Sequence, residues 1–298
     1  MFICIFFTNI NYNKILIKKN EKLANVVCFI PTFAFLNTIS NLMSQSQKNK
    51  ITGLIITFNE ERNIEEVINN LDFVDELIIV DSYSTDKTVE LINKYPKVKL
   101  VQNKFENYTS QRNIALEHAN YNWILFIDAD ERISDKLKSE IITTVKNEPT
   151  DSAFYFYRKF MFQGKHLRFS GWQTDKNIRL FQKDKAHYVS TKLVHEKLII
   201  DGTIGKLKHK LIHHSYTDYN SYKQKMVYYG KLKAKELLLK GSKPNIALFY
   251  LKPIYKFLHS YLVRLGIFDG KKGIIICYLN ALSIHSRYAE LTRMNKAK

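Results

Sequence analysis

From Ile51 onward the chain alternates continuous apolar runs with amphipathic stretches. Ile51 to Phe58 (ITGLIITF) is an apolar run of strand length, and Glu60 to Leu71 places Ile64, Val67, Ile68 and Leu71 on one helical face. The rhythm repeats. Glu76 to Asp81, Lys99 to Phe105 and Trp123 to Asp128 read as strands. Thr85 to Tyr95, Tyr108 to Ala119 and Ser134 to Asn147 read as helices, the first with the acidic, hydroxyl-rich start that helix caps favour. Strands that are apolar throughout and alternate with helices predict an α/β fold, with a parallel sheet covered on both faces.

After Thr150 the pattern changes. Ala153 to Phe162 and Asn177 to Lys183 read as strands, Gly164 to Trp172 between them as a loop, and Lys197 to Ser215 as extended chain. Three helices are expected at Asp218 to Lys240, Asn245 to Leu265 and Gly273 to Met294. The organisation predicted is an N-terminal extension over 1–50, a catalytic domain over 51–217 and a helical extension over 218–298. Within the first part, Met1 to Ile10 is apolar, Lys14 to Lys22 is basic, and Ala24 to Met43 is uncharged but broken by Pro31 and several Asn, Ser and Thr residues. That order does not suit a signal peptide. Met43 reads as the natural start, with a short polar lead into the first strand.

Composition narrows the class. With 10 Gly, 5 Pro and 45% hydrophobic residues in 298, the chain is globular. Its three cysteines offer no disulfide framework and no CxxC pair, which fits a reducing compartment. The net charge of +18 is polarised: from Ile204 to the end there are 19 Lys and Arg against 4 Asp and Glu. Such a field attracts nucleic acid, anionic lipid or a phosphorylated substrate.

The chemistry gathers where strands end. Ligand sites in open α/β sheets lie at the carboxyl ends of the strands. Thr57-Phe58-Asn59-Glu60, Asp81-Ser82-Tyr83-Ser84-Thr85-Asp86 and Asp128-Ala129-Asp130 all fall there. Asp128 and Asp130 alternate onto one side of an extended chain, where two carboxylates repel unless a cation or hydrogen-bond donors lie between them. A bland reading stands beside each residue: Thr57 and Asn59 as helix caps, Asp81 as a strand-end carboxylate, Arg112 as a surface helix residue.

These motifs, with Gln111-Arg112-Asn113, resemble inverting family 2 glycosyltransferases of the GT-A nucleotide-diphospho-sugar fold. Further along, Gly171-Trp172, Asp175, Ile178-Arg179-Leu180-Phe181, Val194-His195-Glu196 and Leu265-Gly266-Ile267-Phe268-Asp269-Gly270 are similar to the subgroup holding the lipopolysaccharide inner-core β-glucosyltransferases of Gram-negative bacteria. The resemblance implies a Rossmann-like, mostly parallel sheet plus a basic helical C-terminal extension. It implies transfer of a sugar, glucose foremost, from a nucleoside diphosphate to a saccharide or lipid-linked saccharide acceptor, assisted by Mg or Mn. Asp130 would bind the metal, and Asp128 would face the ribose or share the metal. Asp81, Thr57 and Glu60 would meet the nucleobase or ribose, and Arg112 would lie near the nucleotide. The general base would be Glu196 or, second, Asp175. Here the usual Glu-Asp pair is replaced by His195-Glu196, and His195 reads as a core histidine or a third metal ligand. His213 and His214 read as structural. Trp172, Phe169 and Tyr155 are a candidate sugar-stacking platform.

Asn245 to Leu265 mixes apolar residues at helical spacing with Lys252, Lys256 and Arg264. It suits a helix lying in an anionic headgroup layer, or one packed on the catalytic domain with its lysines in water. The expected location is the cytoplasmic face of the inner membrane, with no nucleic acid bound. Two rivals stand. A sugar-phosphate nucleotidyltransferase would want a Gly-rich loop after the first strand, which Phe58 to Arg62 lacks. A non-catalytic basic protein binding lipid or nucleic acid leaves the acidic strand ends unexplained.

Overall fold

Three of the four leading strands form because their side chains are buried on both sides. In the computed structural model, which describes residues 48–190, 196–216 and 218–296, β1 (Ile51–Thr57), β2 (Glu76–Asp81), β3 (Val98–Gln102) and β4 (Trp123–Phe126) lie parallel in the order β3-β2-β1-β4. Alternate residues serve opposite cores. Ile55, Ile79 and Leu125 join one cluster, while Leu54, Ile78, Val80, Ile124 and Phe126 join the other. Each fully buried aliphatic side chain there contributes about 2 kcal/mol.

Helices α1 (Ile64–Asn70), α2 (Thr88–Ile92), α3 (Tyr108–His118) and α4 (Asp135–Lys146) cover the sheet. The first two are shorter than their patterns suggest, for one reason. Residues 59–61 and 84–87 bond to each other instead of extending their helices. Asn59 N–H donates to Ser84 Oγ at 2.9 Å, Thr85 N–H to Asn59 Oδ1 at 2.8 Å, and Glu61 N–H to Asp86 Oδ2 at 3.1 Å. Asn59 and Tyr83 both take positive φ (55° and 61°) in these turns. The longer helices carry the expected caps: Asn107 on α3 and Ser134 on α4 accept from Ser110 N–H and Leu137 N–H.

Beyond β4, where the sequence rhythm changes, the sheet changes direction, in keeping with a mostly parallel sheet. β5 (Glu131–Arg132) is a two-residue strand. β6 (Ala153–Phe162) and β8 (Lys176–Gln182) run antiparallel to each other, and β8 runs antiparallel to β4. The loop expected between β6 and β8 contains a short strand, β7 (Lys165–Leu167), folded back on β6. β9 (Ala186–Ser190) and β10 (Glu196–Ile200) pair antiparallel as a separate ribbon. β11 (Ile204–Lys206) and β12 (Leu211–Tyr216) both pair parallel with β6, and β12 also pairs antiparallel with β5. The sheet order is therefore β3-β2-β1-β4-β8-β6-β12-β5. The result is α/β with a mixed sheet.

The C-terminal part comprises α5 (Tyr219–Leu239), α6 (Ile246–Leu258) and α7 (Gly270–Lys296), the last packed against both others. Glycine permits two close approaches. A Cβ on Gly230 would sit 2.4 Å from Ser283 O, and one on Gly273 would sit 2.1 Å from Gly266 O. The extension expected over 1–50 lies, up to residue 47, outside the described residues, as does the candidate His195.

Candidate active site

β1 and β2 are in register so that Thr57 faces Asp81 across the ladder, and both are buried. The Asp81 carboxylate accepts from Ser84 N–H at 2.9 Å and from the Ser84 hydroxyl. Thr57 Oγ1 is buried with no hydrogen-bond partner among the described residues. Gln111 on α3 donates to Ser82 Oγ at 2.6 Å and ties the same turn down from the other side. Glu60 follows Asn59; its N–H donates to Thr88 Oγ1 at 2.8 Å and its carboxylate accepts from Asn63 Nδ2 at 2.7 Å. Burial pushes the Glu60 carboxyl above its ordinary value against that hydrogen bond, and the Asp130 charge adds to the rise. Glu60 therefore feels both acidic motifs. Phe58 and Tyr83 stand exposed on the two adjoining turns.

β4 is the other parallel neighbour of β1, so the 128–130 turn opens on the same edge. The repulsion expected between its carboxylates is relieved by side chains. Arg112 Nη2 donates to Asp128 Oδ1 at 3.1 Å, and Arg179 Nη2 donates to Asp128 Oδ2. Burial opposes the Asp128 charge, but the two guanidinium groups outweigh it and hold the carboxyl well below the usual range. Arg112 is not the surface residue of the bland reading: it is buried, over Phe126 (4.4 Å) and Tyr188 (5.6 Å). Glu131, fully buried, accepts from Arg179 Nη2 at 2.7 Å and from Asp128 N–H at 3.1 Å. Burial raises the Glu131 carboxyl despite Arg179, and Asp128 adds to the rise.

Asp130 meets His213 on β12, its Oδ2 lying 3.3 Å from Nε2, and its carbonyl accepts from His214 N–H at 2.8 Å. Burial would raise Asp130, but the His213 ring outweighs it and lowers the carboxyl. His213, expected from the sequence to be structural, thus reaches the acidic turn, and two adjacent histidines in a strand are the signal for it. Lys225 on α5 was missed as well. Its charge acts on both Glu60 and Asp130, so the helical extension contributes positive field at the sheet edge.

Asp175 pairs with Arg158. Arg158 Nε and Nη2 donate to its two oxygens at 2.8 and 2.9 Å. Arg158 Nη1 also lies 3.5 Å from Glu131 Oε1. Arg112, Asp128, Arg179, Glu131, Arg158 and Asp175 thus form one chain of alternating charge. Glu196 opens β10 in register with Ser190, two residues from the Tyr188 that flanks Arg112. The three aromatic residues of the candidate platform have separate partners. Trp172 stacks on Phe160 (3.7 Å, 6°), Phe169 meets Phe268 (5.7 Å), and Tyr155 lies under Lys176 (4.1 Å). Trp172 and His213 do share Phe160 as a neighbour.

A shared edge with a clamped carboxylate, an orphan hydroxyl and an Asp–His pair is an arrangement that can hold a polar, hydroxyl-rich ligand or a cation. Comparison with known proteins gives the following similarities. Residues 53–198 match the model of the family described as glycosyl transferase family 2. An uncharacterized glycosyltransferase of Rickettsia bellii is 28% identical over 266 residues, covering 85% of this chain and 90% of that one. The lipopolysaccharide core biosynthesis glycosyltransferase LpsC of Rhizobium meliloti is 27% identical over 261 residues, covering 83% and 96%. Among solved structures, the mannosyltransferase PcManGT of Pyrobaculum calidifontis, in complex with GDP-Man and Mn2+, aligns with a TM-score of 0.49 at 14% identity, over 81% of this chain and 87% of that one.

Proposed function

We propose that this chain, a glycosyltransferase whose residues 53–198 match the model of glycosyl transferase family 2, moves a sugar, with inversion, from a nucleoside diphosphate to a saccharide acceptor of the cell envelope. The observation that carries this reading is the shared sheet edge: Thr57 and Asp81 in register on β1 and β2, with the Asp128–Asp130 turn on the strand beside them. Glucose is the donor sugar and a lipopolysaccharide core the acceptor suggested by the motif resemblance. Similarity to LpsC supports the acceptor class.

Asp81 and the orphan Thr57 hydroxyl would meet the ribose or base, with Phe58 and Tyr83 offering flat surfaces for the base. Glu60 would sit beside them. Asp128, held by Arg112 and Arg179, would face the ribose and fix the turn that carries Asp130. Lys225 would stand near the departing diphosphate.

Among the described residues no three of His, Cys, Asp and Glu gather into a ready-made metal site. A magnesium-type ion bound with a phosphate substrate takes only one or two protein carboxylates, and phosphate oxygens and water fill the remaining positions. Asp130 supplies one such carboxylate, and the His213 ring nitrogen 3.3 Å from its oxygen is a further donor beside it. These two residues would hold Mg or Mn, whose chemistry is to neutralise charge on the leaving diphosphate.

The acceptor hydroxyl attacks the anomeric carbon as the bond to the diphosphate breaks, and its proton passes to a carboxylate. Glu196 is the base proposed first. Asp175 is second, because both its oxygens are already bonded by Arg158. The enzyme would work at the cytoplasmic face of the inner membrane, in peripheral contact with it. No helix among the described residues is long and apolar enough to cross one.

The test is a thermal-shift screen of nucleotide sugars with and without Mg or Mn. A donor-specific rise that needs the metal in the wild type, and is lost in Asp130→Ala, is the expected result. Donor binding that is indifferent to both Asp81→Asn and Asp130→Ala would overturn the assignment.

A further inference from the structure

Helix α6 packs Phe249 against Tyr288, Leu291 and His285 of α7, and Lys252, itself exposed, donates to Tyr288 OH at 2.9 Å. The outward arc of α6 is apolar and aromatic, with Ile246, Tyr250, Leu251, Ile254, Tyr255 and Leu258 all exposed. The surface continues into the next turn through Leu262, Val263, Ile267 and Phe268, and Phe268 is 71% exposed. An uninterrupted apolar face of this kind is uncommon on a soluble monomer and marks a contact surface.

We propose that α6 and residues 262–268 dock on an anionic lipid leaflet, with α6 lying in the headgroup layer. This deepens the peripheral contact named above by giving its surface and its lipid chemistry, and it does not depend on glycosyl transfer. Charge decides the occupant. Lys240, Lys243, Arg264 and Lys271 flank the patch and are exposed. From residue 240 to 289 the acidic residue is Asp269, which is buried and bonded. A second copy of the chain would bring the same cations to the same rim and be repelled, whereas an acidic leaflet attracts them. The tyrosines on the arc have the amphipathic form that suits a lipid–water boundary.

The patch is also tied to the catalytic half. Arg264 O accepts from Ser170 N–H at 3.0 Å and from Gln173 Nε2 at 2.9 Å. The Asp269 carboxylate accepts from Arg168 N–H (2.9 Å), Phe169 N–H (3.0 Å) and Ser170 Oγ (3.0 Å). The loop so held leads directly to Trp172 and Asp175. The segment that meets the leaflet is therefore the segment that anchors the loop beside Arg158. An acceptor carried in the same leaflet would approach from that side.

The experiment is co-sedimentation of the full chain with phosphatidylcholine vesicles, with and without added phosphatidylglycerol. The wild type should sediment with the anionic vesicles and be released by salt. Leu251→Gln, Ile254→Gln and Phe268→Ser combined should lower that partitioning by roughly tenfold or more, with the melting temperature and the donor-induced thermal shift unchanged. In a Phe268→Trp variant, indole emission should shift to the blue when anionic vesicles are added. The proposal is overturned if the wild type stays in the supernatant, if the triple variant binds as the wild type does, or if the emission of the Phe268→Trp variant does not move. It is also overturned if light scattering finds a wild-type dimer that the triple variant dissolves.

Discussion

A single guanidinium nitrogen of Arg179 donates to both Asp128 and Glu131, the latter at 2.7 Å, so a residue of β8 holds the acidic turn after β4 closed from the adjoining strand. Removing that cation leaves two carboxylates, one of them fully buried, facing each other. Arg179→Met is expected to cost about 3 kcal/mol, lowering the melting temperature by on the order of 10 °C. Arg179→Lys keeps the charge but not the planar fork and should recover only part of the loss. Denaturant titration of the three proteins checks the order.

Asp81 is bonded twice by Ser84 at the end of β2. Asp81→Asn preserves the shape and one acceptor oxygen, so the fold should survive. A hydrogen bond to a charged group is worth about 1.5–3 kcal/mol, so nucleotide affinity should fall by roughly tenfold to a hundredfold. Calorimetric titration with the nucleoside diphosphate reads the change, and an unchanged dissociation constant would remove Asp81 from the donor site.

The Asp128 carboxyl is lowered in the folded state by Arg179 and Arg112 in spite of its burial. A lowered folded value means that its contribution is complete above the unfolded value of about 3.9. It is lost as pH falls through the folded one. Stability should therefore decline on acidification below about pH 4, with net proton uptake on unfolding. Asp128→Asn should be less stable at neutral pH and show a shallower acid limb. Urea midpoints measured across that range in both proteins test the sign.

Asp269 is 5% exposed and gathers three donors from residues 168–170. Asp269→Ala strands two backbone N–H groups, and destabilisation of about 2–3 kcal/mol is expected. Amide exchange should quicken over 168–174 while β1 and β2 keep their protection. Uniform loss of protection would mean that the residue supports the whole fold and not this loop.

Residues 51–147 were legible because β1, β2 and β4 are continuous apolar runs and the helices between the strands show one apolar face. The second half was less so. β8 carries Arg179 inside NIRLFQ, and nothing in its alternation says that it runs against β4. The acidic turn was visible as Asp128-Ala129-Asp130, but its partners come from α3, β8 and β12, and such pairings leave no local signal. His213 and Lys225 are instances: both reach the edge only through the packing of distant segments. The orientation of α6 was undecidable from period alone, since either face could have turned inward. The shortened α1 and α2 reflect cross-bonding between two turns 25 or so residues apart, which local propensity does not see.

The reversal of direction at β8 divides labour along the gene. Residues 51–130 run outward to the shared edge at the ends of β1, β2 and β4, while the chain re-enters the sheet through the stretch ahead of Lys176. That stretch bonds to β6, Arg158 and Asp269 and makes no pairing with β1 to β4. If the proposed donor edge and acceptor side are right, exchange of residues 163–175 between relatives is the graft that would change the acceptor and leave the donor edge in place.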